Sequence, residues 1–415
     1  MHDEIVANLN RSRGRSLSTR FLWALGLPAF ALSLASTTVS GLLPVVLSRS
    51  AGPAGTGALI AIEGLFAILV PLIVGPWSDR IGKRLPFVGF AGVLGVVALT
   101  LMAVGGLLAV LAIWIALFQV AYFIYITAYF ALYPDLVDDE HSGRAQGAQG
   151  SWRGIGLGLA FVGGPALLAV WRGAPFLLAA VVMLAVTPVF AMIVRRRVAS
   201  HGKGHDASKD VGSVRRLLRD PRLRWFVLCN ALWEAALAAL RAFVVLFLTV
   251  GLDKPTEFAS LALGLVVVAA LIAAPLSGWL GDRYGTRRVL VVSLTVYGFG
   301  LLTPAFSQSV WLMPVVLAGG IAAVTVMTLP FALMMELLPP RDHGAGSALF
   351  GVSRGLGLLS GPIAAGLCIA LLDDGLFEDT RGYGVIFVVA SVCVLATIPL
   401  LSKLTPRAEE EPSAA

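Results

Sequence analysis

The chain has 415 residues, of which 58% are hydrophobic and 13% charged, with a formal net charge of +7 and a mean hydropathy of +0.87. Soluble domains run at about 45–50% apolar and 25% charged, so a soluble fold of this length would lack the polar surface to cover itself. Cys229, Cys368 and Cys393 all fall in apolar runs and the five histidines all fall in polar ones, which excludes disulfide scaffolds, His/Cys metal centres and a buried histidine relay.

In chain order, the polar start MHDEIVANLNRSRGRS predicts a tail and no cleavable signal peptide, since no short apolar region with a small-residue cleavage site follows it. A helix needs about 20 mostly apolar residues to cross hydrocarbon. Runs of that kind predict spans at 20–47, 57–76, 87–107, 109–133, 145–170, 174–194, 224–250, 257–280, 288–306, 309–336, 345–371 and 382–402. The expected fold is therefore an all-α integral membrane protein of twelve transmembrane helices. It comprises a tail at 1–19, a six-helix half at 20–194, a polar linker at 195–223, a second half at 224–402 and a tail at 403–415.

With the N-terminus inside, 24 of the 31 Lys and Arg residues fall in inner segments and four (Arg49, Arg172, Lys254, Arg381) in outer loops. Arg153, Arg241 and Arg354 lie within spans. The positive-inside rule then puts both termini in the cytoplasm of a multi-pass cell-membrane protein. The basic balance belongs to topology, so no nucleic-acid partner is expected.

The two halves repeat. GPWSDRIGKR (75–84) follows span 2 and GWLGDRYGTR (278–287) follows span 8, with Asp79/Asp282 and Arg84/Arg287 each 203 positions apart. After spans 4 and 10, Asp135/Glu336 and Arg153/Arg354 are each 201 apart. Two loops sharing nearly one offset indicate parallel duplication of six-helix halves around a central cavity, an arrangement that places a substrate site between the halves.

The duplicated G-x-x-x-D-R-x-G-x-R loop resembles the signature of the major facilitator superfamily. The resemblance covers the whole chain and implies a secondary transporter working by alternating access. It also implies a cytoplasmic gate built from Asp79, Arg80, Arg84, Asp135, Arg144, Arg153, Asp282, Arg283, Arg287, Glu336 and Arg354. Within the superfamily, YPDLVDDEHSGRAQG (133–147) resembles the glycoside–pentoside–hexuronide and sucrose-type carriers. Those carriers use several acids for cation binding. Span 2 here has only Glu63, which favours a proton over bare sodium. Span 11 carries Ala348-x8-Gly357-x3-Gly361-Pro362-x2-Ala365-Gly366, similar to an antiporter glycine pattern of span 5, and tight packing at a proline kink accounts for it equally well.

Charged groups inside spans are costly unless they face protein or water. Glu63 is the expected proton-coupling acid, with Glu234 next. Asn230, Glu234 and Arg241 share a face of span 7, expected either to line the substrate cavity or to form an interhelical ion pair. Tyr122, Tyr125 and Tyr129 recur at helical spacing on span 4, offering either a cavity wall or a packing stripe. Arg153 and Arg354 suit bracing of the inner gate by pairing with Asp135 and Glu336, or a clamp on an anion. The sequence therefore predicts a proton-coupled carrier of a small, uncharged or weakly charged organic solute, with sugar-like uptake ahead of export of drug-like molecules. A non-transporting membrane sensor is a remote alternative. The expected partners are the solute, protons and the bilayer, for a chain working as a monomer. No metal, cofactor or enzymatic nucleophile–base pair is expected.

Overall fold

The computed structural model describes residues 18–81, 83–137, 139–198, 216–307, 313–338, 343–372 and 377–404. Among them, all regular structure is helical. Ten helices are long and apolar enough to cross a membrane: α1 (Thr19–Leu47), α2 (Ser50–Gly75), α3 (Leu85–Val104), α4 (Leu108–Ala131), α5 (Gly147–Val170), α6 (Ala174–Arg195), α7 (Pro221–Gly251), α9 (Thr286–Phe306), α10 (Pro314–Glu336) and α11 (Gly346–Leu372). Helix α8 (Thr256–Tyr284) includes the shorter apolar stretch Glu257–Ala269, and α12 (Val385–Leu401) is also shorter.

Local chemistry sets the helix ends. Ser18 caps α1 by accepting from the Phe21 N–H at 3.3 Å, and Asp220 caps α7 through the Arg222 N–H at 2.9 Å, with Pro221 in the first turn. The turn between α1 and α2 passes through Gly52 at φ 63°, a left-handed conformation that suits a residue without Cβ. Regular helix then starts at Pro53, within the apolar span Ser50–Gly75 and ahead of the hydropathy-derived 57. Glu63, expected about two turns into its span, consequently lies near the middle of it.

The first six helices pair as α1 with α5 and α6, α3 with α4 and α6, and α2 with α4. The last six repeat the pattern: α7 with α11 and α12, α9 with α10 and α12, α8 with α10. Outward faces are apolar. On α3, Phe90, Val93, Val97 and Val104 project outward while Val88, Ala91, Ala98 and Leu99 are buried, as a lipid-facing helix requires.

Contacts between the halves also obey the repeat, α2 against α11 and α5 against α8. Helix α11 is the hub. A Cβ at Gly57 would collide with the Pro362 carbonyl, one at Gly64 with the backbone of Leu359 and Gly355, and one at Gly366 with that of Pro53. On its other side, a Cβ at Gly357 or Gly361 would run into the backbone carbonyls of Ala231 or Ala235 on α7. The glycine pattern of span 11 is thus a packing device, letting two helices approach one backbone. Along α2 this contact runs from Pro53 to Ile68. Near the α2–α3 loop it has ended, and a Cβ at Gly75, or at Gly278 in the second half, would meet nothing within 4 Å. The halves touch at the end carrying the α1–α2 turn and part toward the end carrying the repeated motif loops.

If this contact holds that end shut, Gly64→Val should force it open. An Ala54→Cys reporter, in a background with the three native cysteines replaced by alanine, should then label several-fold faster with a maleimide. An unchanged labelling rate would show that the contact does not hold the end closed.

Candidate functional site

The inner face of α7 is fixed by two buried hydrogen bonds. Trp233 donates from Nε1 to Thr397 Oγ1 on α12 at 2.7 Å, and Asn230 donates from Nδ2 to Ser353 Oγ on α11 at 2.7 Å. Asn230, expected to line the substrate cavity, is fully buried and committed to this bond. One turn on, Glu234 faces the space left by Gly357 and stands 3.5 Å from the Nε of Arg354. Side-chain exposure is 45% for Arg354 and 19% for Glu234, so the pair borders an open space.

Two turns further along α7, Arg241 donates from Nη2 to Glu63 Oε2 on α2 at 2.9 Å. This pair is drier, with 6% of the Glu63 side chain and 24% of Arg241 exposed. It joins helices from opposite halves. The Nε of Arg241 is buried with no acceptor among the described residues. The sequence placed Glu234 and Arg241 on one face, which holds, but each finds its partner on another helix.

Arg153 projects from α5 into the same region. Its helix is locked to α1: Ser33 Oγ donates to the Arg153 carbonyl at 2.8 Å, Trp152 Nε1 donates to the Trp23 carbonyl at 2.9 Å, and Gly156 abuts the α1 backbone. The Arg153 side chain is exposed, within electrostatic reach of Arg354, Glu234 and Tyr122. Arg354 also senses Tyr122 and Glu63. Three arginines, two glutamates and one tyrosine from α2, α4, α5, α7 and α11 therefore converge.

Tyr125 and Tyr129 do not join them. Thr187 on α6 donates to the Tyr125 hydroxyl at 3.3 Å, while the Tyr129 hydroxyl donates to the Leu25 carbonyl at 2.9 Å and sits 2.8 Å from that of Tyr133. Both are 1% exposed or less, in the packing among α1, α4 and α6, so Tyr122 is the tyrosine of this stripe that reaches the charges.

The motif loops bond within their own halves. Arg84 donates to the Ala131 carbonyl at the end of α4, and Thr286 donates to Glu336 at the end of α10. Glu336 therefore serves the α8–α9 loop and Arg354 serves Glu234, a correction to the expected bracing of Arg354 by Glu336. Arg283 stacks 5.3 Å from the Trp279 ring centroid, Arg80 is exposed and Arg287 half-buried. The side chains of Asp79, Asp135, Arg144 and Asp282 lie outside the described residues.

A family model described as "MFS_1 like family" matches residues 46–376. The chain belongs to the major facilitator superfamily. As a member of a family of membrane transporters it is not an enzyme. Among solved structures, this superfamily member is similar to a bacterial homologue of the human lysosomal transporter Spinster in an inward-facing and occupied conformation. The TM-score there is 0.76 at 14% identity, covering 92% of this chain and 95% of that one. The nucleoside transporter NupG gives 0.75 at 14% identity, covering 92% and 98%. At such identities the likeness shows the fold alone. Among curated proteins, an uncharacterized MFS-type transporter, YfkF of Bacillus subtilis, is 34% identical over 139 residues, 29% of this chain and 34% of that protein. The class H tetracycline resistance protein of Pasteurella multocida is 30% identical over 106 residues, 25% and 26% of the two chains. The matched stretches thus span about a third or less of these relatives. None of these matches singles out the glycoside or sucrose branch.

Breaking a buried pair by removing one partner strands the other charge, so Glu63→Gln and Arg241→Gln should each lower stability by about 3 kcal/mol, the lower end for a buried pair. The doubly swapped Glu63→Arg/Arg241→Glu protein should recover part of it. Thermal unfolding in nanodiscs checks this, and additive losses without recovery would mean that the pair is not coupled.

Proposed function

We propose that the chain is a proton-coupled secondary transporter that moves a small organic solute by alternating access, its two six-helix halves rocking about the charged gap. The observation that carries this reading is the Glu63–Arg241 ion pair, which crosses from one half to the other where the gap closes. An ion pair across a moving interface must break for the interface to open. A proton on Glu63 removes one of the two charges, which links proton binding to the motion. The same guanidinium argues against bare sodium on Glu63, because it already neutralises the carboxylate and occupies one of its oxygens.

Orientation rests on the positive-inside count. With both termini cytoplasmic, the apposed end is the outer one and the gap opens inward, as in the Spinster homologue whose solved state carries that description. Rocking would then pull α2 from α11 on the outside and draw the motif loops, with Asp79, Asp282 and their neighbouring arginines, together on the inside.

The reading of sugar-like uptake rests on the loop motifs and on a local match to an inositol transporter of Arabidopsis thaliana, 27% identical over 95 residues. Export has one observation of its own: local matches to proteins named for multidrug and tetracycline resistance. Purified protein in liposomes with an imposed pH gradient tests coupling and direction together. In Glu63→Gln, which keeps the size and hydrogen bonding of the neutral acid but cannot release a proton, gradient-driven accumulation should vanish. Exchange across equal pools should persist. Accumulation at the wild-type level would remove Glu63 as the coupling group and pass the role to Glu234, whereas loss of exchange as well would assign Glu63 to substrate binding.

A further inference from the structure

Among the described residues, charge in the gap does not balance. Glu63 is matched by Arg241, and Glu234 stands beside Arg354. Arg153 has no acid within ion-pair distance among the described residues, and the nearby charge that most opposes its own is Arg354. Three arginines thus share two carboxylates, leaving one positive charge inside the apolar envelope. Such a charge costs several kcal/mol unless water or a counter-charge compensates it. Like charges brought together in a medium of reduced dielectric add to that cost.

The unmatched Arg153 and the Glu234-paired Arg354 are also placed as a pair. Arg153 and Arg354 occupy equivalent positions of the repeat, on α5 and α11, one from each half. Both side chains are exposed although the helices bearing them are packed on two sides. Each helix is pinned by backbone contacts beside its arginine, α5 on α1 at Gly156 and α11 on α7 at Gly357. The guanidinium groups are therefore presented toward the gap, with Tyr122 within electrostatic range of both. Arg354 meets Glu234 through its Nε, at 3.5 Å, which leaves the Nη groups of its planar fork for another acceptor.

We propose that the solute carries a negative charge, as a carboxylate or phosphate group, and that Arg153 and Arg354 clamp this group from opposite halves beside Tyr122. The proposal rests on the transport reading of the gap and narrows its substrate class. One negative charge brings the cluster to neutrality. Because the clamp takes one arginine from each half, the anion ties the halves together, and the loaded carrier can swing without exposing an uncompensated charge to the bilayer.

A reporter of local potential tests this while the solute itself is unidentified. Tyr122→Cys, in the background lacking Cys229, Cys368 and Cys393, is labelled in phosphatidylcholine nanodiscs with negatively charged, neutral and positively charged methanethiosulfonates. The negative reagent should react roughly tenfold faster than the positive one. That preference should fall toward unity in Arg153→Gln and in Arg354→Gln. Millimolar inorganic phosphate, gluconate or benzoate should slow labelling by the neutral reagent where glucose does not. Protection should be lost in Arg153→Gln and partly kept in Arg153→Lys. A charge-blind reporter, protection by glucose alone, or no protection by any of the three anions would overturn the proposal. Protection seen only when phosphatidylglycerol is added to the disc would put a lipid headgroup in the clamp and overturn the solute. The transport reading is judged separately. A charge-selective, anion-protected site in a protein that carries none of the protecting anions across a sealed bilayer keeps the anion site and fails the transporter.

Discussion

The contact of α11 with α2 on one side and α7 on the other is what the charged gap depends on. It is a contact between backbones, made possible by Gly57 and Gly64 on α2 and by Gly355, Gly357, Gly361 and Gly366 on α11. Hydrophobic burial gives little drive for helix association in lipid, where the tails are as apolar as leucine, so close packing of small residues supplies it. Close approach brings α7 within reach of α2, and only then can Arg241 reach Glu63. Larger residues at these glycines would separate the helices and leave a carboxylate and a guanidinium each alone in a low-dielectric interior.

Charge compensation then sorts the polar groups by role. The Glu63–Arg241 pair is short, dry and shared between halves, as suits an element that reports on closure. The Glu234–Arg354 pair is longer, wetter and confined to the second half, as suits groups that exchange partners with a solute. Asn230, Tyr125 and Tyr129 are satisfied by Ser353, Thr187 and Leu25, and their role is to hold helices in register. A buried hydroxyl or amide with a protein partner has little left to offer a ligand, whereas a half-exposed guanidinium has several donors in hand.

Fold and function separate cleanly in this superfamily. Solved structures with 14–16% identity share the whole architecture, while those neighbours range from nucleoside to peptide transporters. Fold likeness of this kind shows the architecture and leaves open what the protein carries. The identity of the cargo has to be read from the side chains facing the gap, which among the described residues set three arginines against two glutamates.

The sequence by itself determined the class, the helix content and the duplication. Hydropathy depends on local composition, and the repeated loops after spans 2 and 8 preserve their spacing in the linear chain. It also marked Glu63, Arg153, Glu234, Arg241 and Arg354 as unusual, because charge inside an apolar run is costly wherever the run ends up. The start of α2 escaped it, since Ala51–Gly57 is weakly apolar and the helix there is set by the turn at Gly52 and by Pro53. Pairing escaped it as well. Glu63 and Arg241 lie 178 residues apart, and which acid meets which arginine follows from helix packing across the two halves, a property no local spacing encodes. The same packing decided that Tyr122 faces the charges while Tyr125 and Tyr129, one and two turns along the same helix, face protein. Residues three and seven positions apart are neighbours on a helix surface, but the faces they meet belong to α1, α6 and the gap, whose positions only the assembled bundle sets.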